Sequence, residues 1–458
     1  MSVNKEIPMK QLARLVAMVG LAFAASCNRS AVTPAQGIGT PLAAANADLL
    51  PQTVHIIPLY SYGKSGYVGG HGHGGFIGSE AALYGATVLG GSTTCSTPFM
   101  TSSGTGCGIV YRLVPKKGAR TYKLDVLHTF EGAPGDGAAS LATLLADKSG
   151  DLYGTTFYGG EYNGGTLFEL RPTSSGYTEK IVHSFGNGQD GAYPISGVIE
   201  DKGILYGTTV GGGTYTNQTL CKDSGGSPNG TCGTVYRVNP ATGAERVLHS
   251  FGKPLDGASP YAALLDIAGT LYGTTDLGGA LSYCGTVFKI GINGTGEQVV
   301  HSFLNNPRDG CNPFANLIAV NGTLYGTTCC GGGYYCSHCE GTLFSVDLST
   351  GKEQVLHDFG KSTDGSEPTA AVVNVGGVLY GTTTIGGGTS CQGGNGCGTI
   401  FSYAPSPSNP AYNVVYQFTG GKDGAGPLDT LLYSHGAFYV TTTSGGTLGL
   451  GTGVKAQL

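Results

Sequence analysis

Five histidines recur in one setting, an aliphatic residue, His, a small or polar residue and Phe, at His128, His183, His249, His301 and His357. Imidazoles at such positions could ligate a metal or move a proton. Each lies more than fifty residues from the next, however, so they read as packing or hydrogen-bonding residues too dispersed to share an ion. Six Asp-Gly pairs, at Asp136, Asp190, Asp256, Asp309, Asp364 and Asp423, read as turns, because they lack the alternating carboxylates of a calcium loop. His71 and His73, in a Gly-rich segment, are candidate ligand-binding residues, as are Phe99, Tyr158, Tyr162, Tyr215, Tyr283, Tyr334 and Tyr335, whose flat rings and polar tips suit glycans or peptides. The thirteen cysteines divide into Cys27, near the N-terminus, and an even twelve: Cys95, Cys107, Cys221, Cys232, Cys284, Cys311, Cys329, Cys330, Cys336, Cys339, Cys391 and Cys397. Spacing suggests the bridges Cys95 to Cys107, Cys221 to Cys232 and Cys391 to Cys397, and leaves three among the other six unassigned. A zinc site from Cys329, Cys330, Cys336 and Cys339 with His338 has suitable ligand types, but a doubled Cys and the oxidising compartment expected from the N-terminal export signal favour disulfides. No metal, cofactor or catalytic residue is assigned.

The elements that carry these residues follow from composition. With 82 Gly and 21 Pro in 458 residues, a largely helical protein is excluded, while 40% hydrophobic and only 12% charged residues exclude a disordered one. The net charge of −5, without a basic block, gives no electrostatic case for nucleic acid. The phrase Leu-Tyr-Gly-Thr-Thr recurs at Leu152, Leu205, Leu271, Leu324 and Leu379, with degenerate copies at Leu83 and Phe438. Spacings of 53 to 69 residues between the Tyr positions define seven units. Each unit has four short β-like runs: one led by Pro, such as Pro260 to Ile267; the phrase; a Gly-Thr-aliphatic-aromatic run; and the His-bearing run. Four antiparallel strands per repeat predict an all-β, seven-bladed β-propeller over residues 53–458. The seventh unit lacks its fourth run, and residues 53–62, ending Leu59-Tyr60-Ser61-Tyr62, match it, so the N-terminal strand is expected to close the ring.

The loops between second and third runs hold 20, 8, 23, 9, 12, 14 and 8 residues, and all of the twelve cysteines lie in them except Cys311, which sits in a blade connection on the same face. That face, near the long loops 88–107 and 210–232, is the expected binding face, stapled by disulfides that order its loops. The turn at Thr242-Gly243 is assigned to the opposite face.

The combination of Leu-Tyr-Gly-Thr-Thr with a following Gly-Gly, Gly-Thr-Val-Phe, and His-Ser-Phe with Asp-Gly-x-x-Pro resembles the repeat of bacterial choice-of-anchor GloVer-containing proteins, the gloeo/verruco repeat, across residues 53–458. The resemblance implies an exported, surface-associated protein and brings no catalytic residues with it. Lys5, Lys10 and Arg14 before the apolar run Leu15 to Ala25 read as a signal peptide over residues 1–27, with Met9 an alternative start. Ala24-Ala25-Ser26-Cys27 resembles a lipobox with Cys27 as the lipidation site, and residues 28–52 read as a tether. The expected protein is a monomeric outer-membrane or cell-surface lipoprotein, otherwise secreted, held to membrane by lipid alone. It is read as a binding module for a glycan or protein ligand; the alternative is a polysaccharide hydrolase or lyase, against which stands the lack of a carboxylate pair peculiar to one blade.

Overall fold

The computed structural model describes residues 54–457 except 64–69, 92–94, 96–105, 218–219, 222–229, 305, 307–308, 332–339, 361–362, 389–390, 392–393 and 406–409. Seven four-stranded antiparallel sheets form a β-propeller, with no α-helix among the described residues. Blade 4 shows the unit: Leu265–Ile267, Thr270–Thr275, Thr286–Gly291 and Gln298–Ser302 from the channel to the rim. The first strand is shorter than the sequence suggests. Pro260 to Leu264 precede it outside the ladder; Tyr261, Ala263 and Leu264 line the channel, and the Ala262 carbonyl and Ala263 N–H bond to the neighbouring blades instead.

The recurring phrases are cross-strand pairs. Gly273 of the second strand lies opposite Phe288 of the third, and a Cβ on Gly273 would come within 2.6 Å of that ring. The same collision would occur at Gly154, Gly326 and Gly381, so Gly recurs to admit an aromatic ring over the backbone. The second Thr of each phrase bonds the Thr of the third strand, as in Thr275 with Thr286 at 2.8 Å and Thr328 with Thr342 at 2.7 Å. The first Thr points the other way, as strand alternation requires. Its hydroxyl donates to a carbonyl of the next blade's inner segment: Thr208 to Ala262 at 2.9 Å and Thr327 to Ala370 at 3.1 Å. Blades are thus joined around the channel by hydrogen bonds. Farther out they are joined by rings, because the Phe after each His packs against the third-strand aromatic of the following blade, edge-on in Phe251 with Phe288 and Phe303 with Phe344, both at 5.1 Å.

Closure occurs as expected. His55–Ser61 pairs antiparallel with Thr452–Gln457 and completes blade 7 with Ala437–Thr441 and Leu432–Ser434. One feature is not legible in the runs: the Asp-Gly turns are themselves paired. Gly257–Ala258 forms a two-residue ladder with Leu277–Gly278 of the next blade, and three other junctions do the same.

Candidate functional site

Three regions carry the candidate functional residues: the channel, the loop face and the blade junctions at the rim. The channel holds a cavity of about 560 Å³ whose wall is mostly Ala, Val, Leu and Ile, with Thr143, Ser196, Asn316 and Thr369 as polar points. Asp429 alone among its lining residues carries a charge. Burial raises the Asp429 carboxyl to about 6, while bonds from the Thr441 hydroxyl and the Gly74 N–H pull it back down.

On the loop face the structure forms the bridges Cys95–Cys107, Cys221–Cys232 and Cys391–Cys397, and adds Cys284–Cys311, a pairing that spacing left open. The last joins a loop of blade 4 to the connection leaving that blade. Cys107, Cys221, Cys232, Cys284 and Cys397 are completely buried within the hydrophobic clusters, so these bridges belong to the core as well as ordering loops. Cys329 and Cys330 are buried, with Cys330 in a short ladder opposite Cys311. Cys336, Cys339, Phe99, Tyr334, Tyr335 and Cys27 lie outside the described residues, as does the whole segment 1–53. His71 and His73 fall in the first strand of blade 1, Gly70–Ser79.

Of the tyrosines singled out, Tyr158 is buried edge-on against Phe157 and Tyr193. Tyr162, Tyr215 and Tyr283 stand 44%, 40% and 41% exposed in the corresponding loops of blades 2, 3 and 4. The Asn187 amide donates to the Tyr162 hydroxyl at 3.4 Å, and the Lys253 ammonium lies over the Tyr215 ring at 5.2 Å.

The recurring His and Asp, separate in the sequence reading, meet at each junction. Nε2 of His183, His249 and His357 lies 2.9, 3.0 and 3.0 Å from the carboxylate of Asp190, Asp256 and Asp364; His128 with Asp136 and His301 with Asp309 are similar. In blade 6, where Tyr416 replaces His, its hydroxyl donates to Asp423 at 2.9 Å. The same Asp caps its own turn, as when Gly310 N–H and Leu304 N–H donate to Asp309 at 2.8 and 2.9 Å.

A third group at these junctions escaped the sequence reading. Glu179, Glu245 and Glu353 come from the outer strand of the following blade and Glu297 from the residue just before it, and each stands four residues before that strand's own His. The spacing Glu-x-x-x-His was a signal visible in four units. Burial, with the neighbouring Asp, raises Glu179 and Glu245 to about 7 and Glu353 to about 8, and raises Glu297 as well. The junction of blades 2 and 3 opens into a polar groove of about 770 Å³ containing His183, Asp190, Glu245, Tyr162 and the turn Thr242-Gly243. That turn, expected on the opposite face, shares a groove with Tyr162, and a Cβ on Gly243 would come within 2.7 Å of the Val182 carbonyl oxygen.

These raised carboxyls set a pH dependence. A carboxyl whose folded pKa exceeds its unfolded value near 4 contributes stability that is complete below that value and is lost as pH rises through the folded pKa. Melting temperature is expected to fall as pH rises from about 4 to about 8. Glu245→Gln should flatten the upper part of the fall, around pH 7, and Asp429→Asn the part around pH 6. A melting curve series over that range checks this; identical profiles for wild type and both variants would contradict it.

Fold and junctions together define a disulfide-bearing, seven-bladed repeat propeller. The model of the Gloeobacter/Verrucomicrobia repeat matches residues 48–222 and 220–393, and the chain belongs to that family. Comparison with curated proteins finds no match. Among solved structures, an oligogalacturonate lyase from Vibrio parahaemolyticus is similar at a TM-score of 0.51 and 9% identity, over 89% of this chain and 97% of that one. An oligogalacturonate lyase in complex with manganese gives 0.49 and 13%, over 89% and 98%. At these identities the likeness is one of fold.

Proposed function

We propose that this protein is an exported, surface-anchored binding module whose disulfide-stapled face holds a glycan or protein ligand without chemical turnover. The observation that carries this reading is the set of Tyr162, Tyr215 and Tyr283, exposed in the corresponding loops of three consecutive blades beside loops tied by Cys221–Cys232 and Cys284–Cys311. A large apolar ring left in water on a rigid loop loses little freedom when a partner covers it. Four bridges are compatible with an extracellular protein, and the signal-like N-terminus with Cys27 supplies the anchor in this reading. The protein is taken to be a monomer.

A glycan array probed with the wild type and with Tyr162→Ala/Tyr215→Ala/Tyr283→Ala tests the proposal. The wild type should give saturable signals that the triple variant loses by at least about tenfold, with the melting temperature retained, since exposed side chains contribute little to folding. Absence of any wild-type signal, or equal signals from both proteins, would overturn glycan binding at these tyrosines. Anchoring is read separately: a fatty-acid analogue should label the wild type and not Cys27→Ser.

A further inference from the structure

We propose that three blade junctions are binding sites for a zinc-class divalent cation, each ligated by a His and an Asp of one blade and a Glu of the next. The sets are His128, Asp136 and Glu179; His249, Asp256 and Glu297; and His301, Asp309 and Glu353, and in each the donor atoms all lie within 4.8 Å of one another. This goes beyond the binding function above and does not depend on it. It also departs from the sequence reading, which set the histidines aside because they are far apart. They do not share an ion; each has its own pair of carboxylates, one brought by the fold from the neighbouring blade.

The His–Asp contact alone calls for no metal. His357 and Asp364 form it at 3.0 Å, with the ring of Tyr412 where the other junctions have Glu, and Tyr416 can replace His altogether. What needs explanation is the glutamate. It places a second carboxylate against the first, and Oε1 of Glu179, Glu297 and Glu353 is buried without a hydrogen-bond partner. A buried carboxylate oxygen without a partner is costly, and a second carboxylate beside it adds to the cost. A dication at the common focus of the three groups offsets the repulsion between the facing carboxylates.

At the junction of blades 1 and 2 the distances agree with this. Donors about 2.1 Å from a tetrahedral ion stand roughly 3.4 Å from each other. His128 Nε2 lies 3.2 Å from Asp136 Oδ2 and 3.5 Å from Glu179 Oε2. Asp136 and Asp309 are oriented by backbone N–H groups, of Glu131 at 2.8 Å and Leu304 at 2.9 Å, the outer-shell support that metal-ligating carboxylates commonly have. One imidazole nitrogen and two carboxylates suit zinc with a water in the fourth position, whereas calcium requires six to eight oxygens. Because the ligands come from two blades, the ion would fasten the ring as Thr and Phe do farther in.

The test uses the full chain, stripped with a chelator and titrated with zinc chloride at pH 7.5 in a calorimeter, with melting curves in parallel. Saturable binding approaching three equivalents and a rise in melting temperature of several degrees are expected. Glu297→Gln should lose one equivalent, and Glu179→Gln/Glu297→Gln/Glu353→Gln should lose all three while melting cooperatively in chelator. Calcium chloride at the same concentration should have no effect. The proposal is overturned by absence of saturable zinc binding to the wild type, by unchanged stoichiometry in the triple variant, or by binding that disappears on thiol alkylation, which would place the ion on cysteines instead.

Discussion

Removal of residues 54–62 should leave a chain without a cooperative melting transition at the wild-type temperature. The segment does two things at once. His55–Ser61 forms the outer ladder of blade 7, with Tyr60 opposite Gly453 and Ser61 opposite Thr452, and Tyr62 N–H extends it to the Gly451 carbonyl at 3.1 Å. Its side chains also fill the seam between the last blade and the first. Leu59 and Tyr62 are buried in one cluster with Leu83, Ile109 and Tyr111 of blade 1 and Ala437 and Tyr439 of blade 7. The Tyr62 and Tyr111 hydroxyls share a buried hydrogen bond at 2.6 Å. Full burial of a large apolar side chain contributes roughly 2 kcal/mol, so losing Val54, Leu59 and Tyr62 with the ladder removes an amount comparable to the about 5–15 kcal/mol that holds a domain together. Deletion also bares Thr452–Gln457 as an open strand edge, so the truncated chain should aggregate. Leu59→Ala is the milder companion, expected to destabilise by about 3 kcal/mol and to melt cooperatively. Calorimetry on both decides the matter: a truncated protein melting like the wild type would show that blade 7 closes without the N-terminal strand.

That strand was readable because repetition makes absence visible: six units carried a fourth run, the seventh did not, and an unclaimed copy stood at the other end of the chain. The blade interiors were legible for a related reason. Gly273 opposite Phe288 and Thr275 opposite Thr286 are pairs within one sheet, and a recurring motif records such pairs directly. The junctions were less legible because their partners come from different units. His128 and Asp136 are eight residues apart and could have been linked, but Glu179 reaches them from the next blade across the twist of its outer strand, which no spacing within one repeat reveals. Exposure was illegible for a simpler cause: Tyr158 and Tyr162 differ by four positions in one loop, yet one packs on Phe157 and the other faces water. The bridge Cys284–Cys311 likewise joins a loop to a connection that only the blade geometry brings together.

Asp364→Ala should cost about 3 kcal/mol, the largest effect expected of any single polar substitution at the rim. The junction of blades 5 and 6 isolates the His–Asp contact from the glutamates, since Tyr412 stands in their place. Asp364 is buried, takes His357 on one carboxylate oxygen at 3.0 Å and accepts the Gly360 N–H on the other at 3.1 Å. His357 in turn lies flat on the Tyr412 ring at 3.6 Å and edge-on to Phe359, which packs against Phe401 of blade 6. Truncation to Ala leaves a partly buried imidazole and a backbone donor without their acceptor and frees the ring that fixes the stack, so the loss should exceed that of one ordinary hydrogen bond. Asp364→Asn keeps one carbonyl oxygen in place and should lose less than half as much. Its amide cannot accept from both donors, so some loss is certain to remain if the contact matters. Denaturant melts of the three proteins measure the series. Equal midpoints for wild type and Asp364→Ala would mean that the recurring Asp-Gly turn holds its shape through backbone pairing alone, and that the carboxylate common to six units serves something other than joining blade to blade.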